Sequence, residues 1–251
     1  GPEERAKLID AALGPIAQDA DALAALSNRF RVSADGDLLA AQLLPLLEQR
    51  TLDGNEVAGI AYDAWLRMEG RTMSTEVSTA LVASLRKSAE TGVAGSTYTL
   101  AALSLDGRIA AETMSREEAV EHLFDAAESE VGQAALRIGK MYAYGRIFAK
   151  SDVFAKRWLE KAAALDVEAA RWLLADLQSR SEDPRDRAAG ERFLNARIET
   201  GDTRAAIADV ARRLRNGTLD EVSLARAEAL AQASEPAVNL ARVLTASGRS
   251  D

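Results

Sequence analysis

Residues 134–166 read AALRIGKMYAYGRIFAKSDVFAKRWLEKAAALD, and the fold is decided there. In the first half Ala135, Ile138, Gly139 and Tyr142 recur at helical spacing, so one face is small or apolar and a neighbouring helix can approach closely. Gly145 ends that helix. Ser151 is placed to cap a second one, in which Phe154, Ala155, Trp158, Leu159, Ala162 and Ala163 form an apolar stripe while Lys156, Arg157, Glu160 and Lys161 face away. Two helices this short cannot enclose a core. The unit needs neighbours, which is the defining property of a solenoid repeat.

Outward from this stretch, two columns keep a common period. An inter-helix turn falls at Gly36, Gly70, Gly107, Gly145, Ser181 and Gly217, and a second-helix leucine at Leu47, Leu85, Leu123, Leu159, Leu194 and Leu230, each about every 36 residues. The reading is an all-α protein, a right-handed α-solenoid superhelix of about six to seven helix-turn-helix repeats. The repeats span approximately 19–53, 54–92, 95–131, 134–166, 167–201 and 202–235, with partial repeats at 3–14 and 236–247, all within a single domain over 3–251. Phe30 belongs to the apolar face of the first repeat and Leu38 to its second helix; Pro45 there is expected to kink that helix or mark a restart. Ser115 with Glu118, and Thr218 with Glu221, have the spacing of capping boxes, and Asp183-Pro184 that of a cap followed by a first-turn proline. The triplets Gly70-Arg71-Thr72, Gly107-Arg108-Ile109 and Gly145-Arg146-Ile147 align in one turn, where glycine supplies left-handed backbone. Gly1-Pro2 reads as the remnant of a cleaved tag, and both ends break off in mid-repeat, as expected of a segment of a longer array.

Composition agrees. The 251 residues are 47% hydrophobic and 28% charged but only 5% aromatic, and few stretches alternate β-branched and aromatic residues, which favours packed helices over sheet. A net charge of -8 and a pI near 5.0 argue against nucleic acid as a partner. Without cysteine there is neither a disulfide nor thiol chemistry, and no uninterrupted apolar run approaches the ~20 residues that span a bilayer.

Stretch 134–166 resembles the Sel-one-like repeat, a subclass of tetratricopeptide-like helical repeats, through Ala134, Gly139, Tyr142, Gly145 and Lys161-Ala162-Ala163. Asp125-Ala126-Ala127 and Lys87-Ser88-Ala89 echo the last element, while repeats one, five and six have lost several signature positions. The resemblance implies an adaptor scaffold, not an enzyme, with no cofactor. Within that family the Ala- and Arg-rich, cysteine-free chain is similar to periplasmic repeat scaffolds of bacterial exopolysaccharide secretion of the alginate type, and to periplasmic repeat regulators of exopolysaccharide signalling. That likeness implies a periplasmic location, with the cytoplasm as the alternative.

Catalytic chemistry finds little to work with. His122 is the only histidine, so neither a zinc pair nor a serine triad with a Gly-x-Ser-x-Gly elbow can be assembled around it on sequence grounds. Carboxylate pairs such as Glu117 with Glu121 and Asp125 with Glu128 are plentiful and a glycosidase uses two, but on amphipathic helices such residues are usually the solvated face. Asn216-Gly217-Thr218 is a glycosylation sequence and, first, a turn. Binding is therefore the expected activity, on a concave face lined mainly by first helices. Arginines and aromatics anchor interfaces, which makes Arg67, Arg71, Arg137, Lys140, Tyr144, Arg146, Arg171 and Trp172 the candidate partner-binding residues. Trp65, Trp158 and Trp172 also suit packing between repeats. One or more proteins are the expected partners, a polysaccharide the second choice, and a sensor kinase under regulation the third.

Overall fold

A computed structural model describes residues 13–30 and 36–232 continuously, with Glu4, Lys7 and Ala11 before them. The expected helix over 236–246, most of the one over 3–13, Gly1-Pro2 and the side chains of Phe30 and Leu38 lie outside the described residues. A single 3-10 turn, Gly14–Ile16, precedes twelve α-helices, and no strand occurs among the described residues. The helices are α1 (Ala20–Phe30), α2 (Gly36–Leu52), α3 (Glu56–Met68), α4 (Thr75–Glu90), α5 (Ala94–Leu105) and α6 (Arg116–Glu128). They continue as α7 (Gly132–Tyr144), α8 (Asp152–Ala164), α9 (Glu168–Ser179), α10 (Pro184–Glu199), α11 (Thr203–Arg215) and α12 (Glu221–Gln232). The chain forms two compact units, Gly1–Ala135 and Leu136–Asp251.

Local chemistry starts most of these helices. The side chains of Asn55, Ser74, Ser115, Ser151, Asp183 and Asp202 each accept a backbone N–H of the first turn that would otherwise go unpaired. One start differs from expectation. Asp220, not Thr218, accepts the Ser223 N–H at 2.7 Å, and α12 begins at Glu221. Both residues can cap, and the carboxylate also complements the positive helix end. At the other end, Gly70, Gly107, Gly145 and Gly217 turn with φ between 65° and 67°, which a side chain would make costly. Gly36 departs from that column by opening α2. The same helix runs through Pro45 without restarting. The Pro45 ring is on the exposed side, where water can take the carbonyl that proline leaves unbonded, while Leu43 and Leu47 on the other side are fully buried.

In the first unit α1 packs on α2 and α3, α2 on α3 and α4, and each helix from α3 to α6 on the next but for the α6 end. Their core is continuous from Leu13 to Ala119 through Leu43, Leu47, Leu66, Leu81, Leu85 and Leu100. Trp65 sits in it, donating its indole N–H to the Ser27 hydroxyl of α1. In the second unit α8, α9, α10, α11 and α12 pack in succession. Leu194 and Ile198 of α10 meet Ala205, Ala206 and Val210 of α11 and Ala227 and Ala231 of α12.

The leucine column is the centre of this arrangement: Leu47, Leu85, Leu123 and Leu159 are fully buried, Leu194 nearly so, and Leu230 is half-buried. Opposite Leu159 stands Gly139 of α7, where a Cβ would lie 2.9 Å from the leucine Cγ and Cδ2 and 3.3 Å from its backbone nitrogen. The close crossing of α7 and α8 therefore depends on the missing side chain. Gly139→Val is expected to lower the urea midpoint of the second unit. Leu159→Ala should cost about 2–5 kcal/mol, while Glu160→Ala on the solvent side leaves the midpoint within error.

Candidate interaction surface

The eight basic and aromatic candidates divide between the units, Arg67 and Arg71 in the first and the other six in the second. Arg67 is engaged within its own unit. Its guanidinium reaches Asp63 one turn back at 2.6 Å and Asp106, 39 residues on, at 3.0 Å. Asp63 also receives Arg108, at 2.6 and 2.8 Å, and Arg108 in turn donates to the carbonyl of Arg71. Asp63 is 4% exposed in the middle of α3, so its charge is sustained only by these two arginines. The pairing with Asp63 and Asp106 holds the Arg67 guanidinium above its ordinary range despite partial burial. Arg71 itself is exposed and pairs locally with Glu69 at 2.6 Å.

A second cluster of this kind fills the end of α11. Asp209 accepts from Arg212 and Arg213, Arg212 also meets Glu191 of α10, and Arg213 reaches Asp220 at 2.8 Å. Neither buried acid was among the candidates. The trace each leaves in the sequence is an Asp followed by an Arg four residues later inside an apolar stripe, Asp63 with Arg67 and Asp209 with Arg213.

Arg171 and Trp172 on α9 are likewise occupied. Arg171 pairs with Asp166 and, at 3.5 Å, with Glu168. Trp172 is half-buried, donates its indole N–H to Glu168 at 3.0 Å and meets Phe193 edge-on at 5.2 Å, with the Arg204 guanidinium 4.7 Å from its ring centre. Arg197 of α10 closes the group by pairing with Glu168 and approaching both rings.

The end of α7 is different. Lys140, Tyr144 and Arg146 are exposed, Arg137 is half-buried, and Arg146 leans toward the Tyr144 ring at 5.9 Å. No carboxylate among the described residues pairs with Lys140 or Arg146. In the same region Tyr142 stacks on Phe148 at 4.7 Å and lies tilted against Phe154 at 5.1 Å. Phe154, expected in the buried stripe of α8, is 48% exposed, because Ala155, Trp158, Leu159 and Ala162 already fill that helix's inward face.

Two shallow hollows complete the surface. One of about 530 Å³ in the first unit is bordered by Arg86, Glu90, Glu118, His122 and Asp125, with His122 Nε2 3.8 Å from Glu118. The other, about 480 Å³, lies in the second unit beside Lys156, Asp186 and Arg180. Among the described residues no group of three or more acids and histidines is disposed to hold a metal ion, and no helix is long and apolar enough to cross a membrane.

No family model matches the sequence, and neither does any curated protein. Solved structures do. A Sel1 repeat protein from Oxalobacter formigenes superposes with a TM-score of 0.60 at 18% identity, over 98% of this chain and 70% of that one. A protective antigen of uropathogenic Escherichia coli that displays an SLR fold superposes with a TM-score of 0.53, also at 18% identity, over 92% of this chain and 46% of that one. At this identity the likeness is one of fold.

Asp63→Ala is expected to cost about 3 kcal/mol in the first unit, the low end for a broken buried pair because Arg108 keeps an 11% exposed edge. Denaturant unfolding checks it, and replacing Arg108 as well should recover part of the loss. The pair Lys156–Asp186 predicts a pH dependence. The hydrogen bond that Lys156 donates to Asp186 holds the carboxyl below its ordinary range and the ammonium above its own. The acid's contribution is complete above the unfolded carboxylate pKa of about 4 and lost as pH falls through the lower folded value. The lysine's is complete below about 10.4 and lost as pH rises through the higher folded value. Asp186→Asn should therefore melt slightly below the wild type at pH 7, by about 1 kcal/mol or less for so exposed a pair, and equally with it near pH 2.

Proposed function

We propose that this chain, which has the fold of Sel1 repeat proteins, is a non-catalytic scaffold that binds other proteins. One observation carries the proposal: among the candidate residues Arg67, Arg71, Arg171 and Trp172 are engaged within the fold, whereas Lys140, Tyr144 and Arg146 stand exposed at the end of α7 and just beyond it, with no carboxylate on either cation among the described residues. Exposed arginine, lysine and tyrosine are what a partner can use. Arg137 borders them on the same helix. The work of such a scaffold is to hold partners at fixed spacing without making or breaking bonds.

The partners we assign are components of a bacterial exopolysaccharide synthesis or secretion system, or of its regulation, in the periplasm. The support for this finer reading is the resemblance of the repeat class and of the Ala- and Arg-rich, cysteine-free composition to periplasmic scaffolds of that kind. Affinity isolation from the native source tests it. The wild type is expected to retain a defined protein from such a system in stoichiometric amount, and Lys140→Glu with Arg146→Glu to retain less than about a tenth as much at an unchanged melting temperature. Equal retention by the double variant would place the binding surface elsewhere. Polymer-specific binding on a glycan array, or new reducing ends released from a polysaccharide, would replace the scaffold with a carbohydrate-active protein.

A further inference from the structure

We infer that the turn from Tyr144 to Phe154 is a docking face for an acidic segment of a partner protein that carries an aromatic or large aliphatic side chain. This rests on the scaffold reading above and gives its partner a chemistry.

The apolar half of the argument is the ring shelf. Tyr142, at the end of α7, stacks on Phe148 with an interplanar angle of 22° and lies tilted by 34° against Phe154, so rings from three points of the chain pack as one group. Phe154 is 48% exposed and Tyr144 56%. The same helix buries Ala155, Leu159 and Ala162 completely, so its inward face is already supplied without Phe154. Isolated exposed apolar residues are ordinary, but an exposed ring held on a packed group of aromatics marks an interaction site. Val153 borders the hollow that Glu182 and Asp186 also line and is no part of this face.

The charged half is the rim. Lys140, Arg146 and Lys150 are exposed on the end of α7 and the turn after it, Arg146 beside the Tyr144 ring, and Asp152 lies 4.0 Å from Lys150 with both side chains more than 60% exposed. A contact that open is screened and contributes little. The local sign is thus positive on a chain whose net charge is -8, so acidic segments are drawn to this face and repelled from most of the rest. A partner that satisfied the cations but offered only hydroxyls to Tyr144 and Phe154 would leave the apolar shelf in water; an apolar anchor flanked by Asp and Glu meets both halves. That favours a peptide segment over a uronate polymer.

Two fluorescein-labelled dodecapeptides test this, one with Glu and Asp around a central Phe-Leu pair and the other with Lys in place of every acid. Anisotropy should show saturable binding of the acidic peptide only, weakening as salt screens the rim. Lys140→Glu with Arg146→Glu, and separately Tyr144→Ser with Phe154→Ser, should each weaken it about tenfold. Those side chains are outside the core, and a melting curve checks that each variant is folded. Absence of saturable binding up to millimolar peptide, equal binding of the basic peptide, or indifference to either double variant would overturn the inference. So would a uronate oligosaccharide that binds more tightly than the acidic peptide and is equally weakened by the Tyr144 and Phe154 changes. The scaffold reading stands or falls separately, on retention of a native protein, in which no synthetic peptide takes part.

Discussion

A helix of twelve or thirteen residues carries one narrow apolar stripe, and a pair of them leaves part of that stripe uncovered. The leucine near the middle of each second helix is where this constraint is met. Leu47, Leu85, Leu123 and Leu159 are wholly removed from water because further helices cover what the first pair cannot. Dense packing at these points is possible only where the facing first helix is small, most plainly at Gly139. The tolerance of Pro45 has the same origin: with Leu43 and Leu47 anchored on the inward side, the backbone defect on the outward side is carried by the packing.

The turn after each first helix then decides what its arginine does. Gly70, Gly107 and Gly145 adopt nearly identical left-handed geometry, and each is followed by arginine. Arg108 folds back onto the buried Asp63, Arg71 stays exposed with Glu69, and Arg146 lies beside Tyr144 with no acid. One turn thus has three uses, separated by whether a carboxylate waits in the preceding first helix. Asp63 occupies that place for Arg108; Arg146 has no equivalent.

The repeat was legible because its two columns report the strongest local forces, a backbone angle that favours glycine and a site that must exclude water. Where several residues serve equally, legibility fails. Thr218 and Asp220 can each cap a helix, and the carboxylate does so; a glycine can open a helix as well as close one, as Gly36 does. The site was harder to read for a different reason. Asp63 stands one helical turn before Arg67 and is legible there, but the second partner of that arginine, Asp106, is 39 residues distant, and Arg108 is 45 residues from the same Asp63. Column statistics describe what repeats share, and an ion pair between two particular repeats is what they do not share. Phe154 was misjudged through its neighbour, since Ala155 takes the inward position that periodicity alone would have granted either residue.

The network around Asp63 has a consequence for modularity. Where every interface between repeats is apolar and alike, a repeat can be removed or duplicated and the new neighbours still fit. Here the acid is carried by α3 and one of its two arginines follows α5, so the second and third repeats, both within the first unit, are keyed to each other like complementary halves of a coupling. Excising the segment between them, or inserting another copy there, would bring an unmatched charge into a nearly dry seam. The array is repetitive in its backbone, yet its parts are not interchangeable.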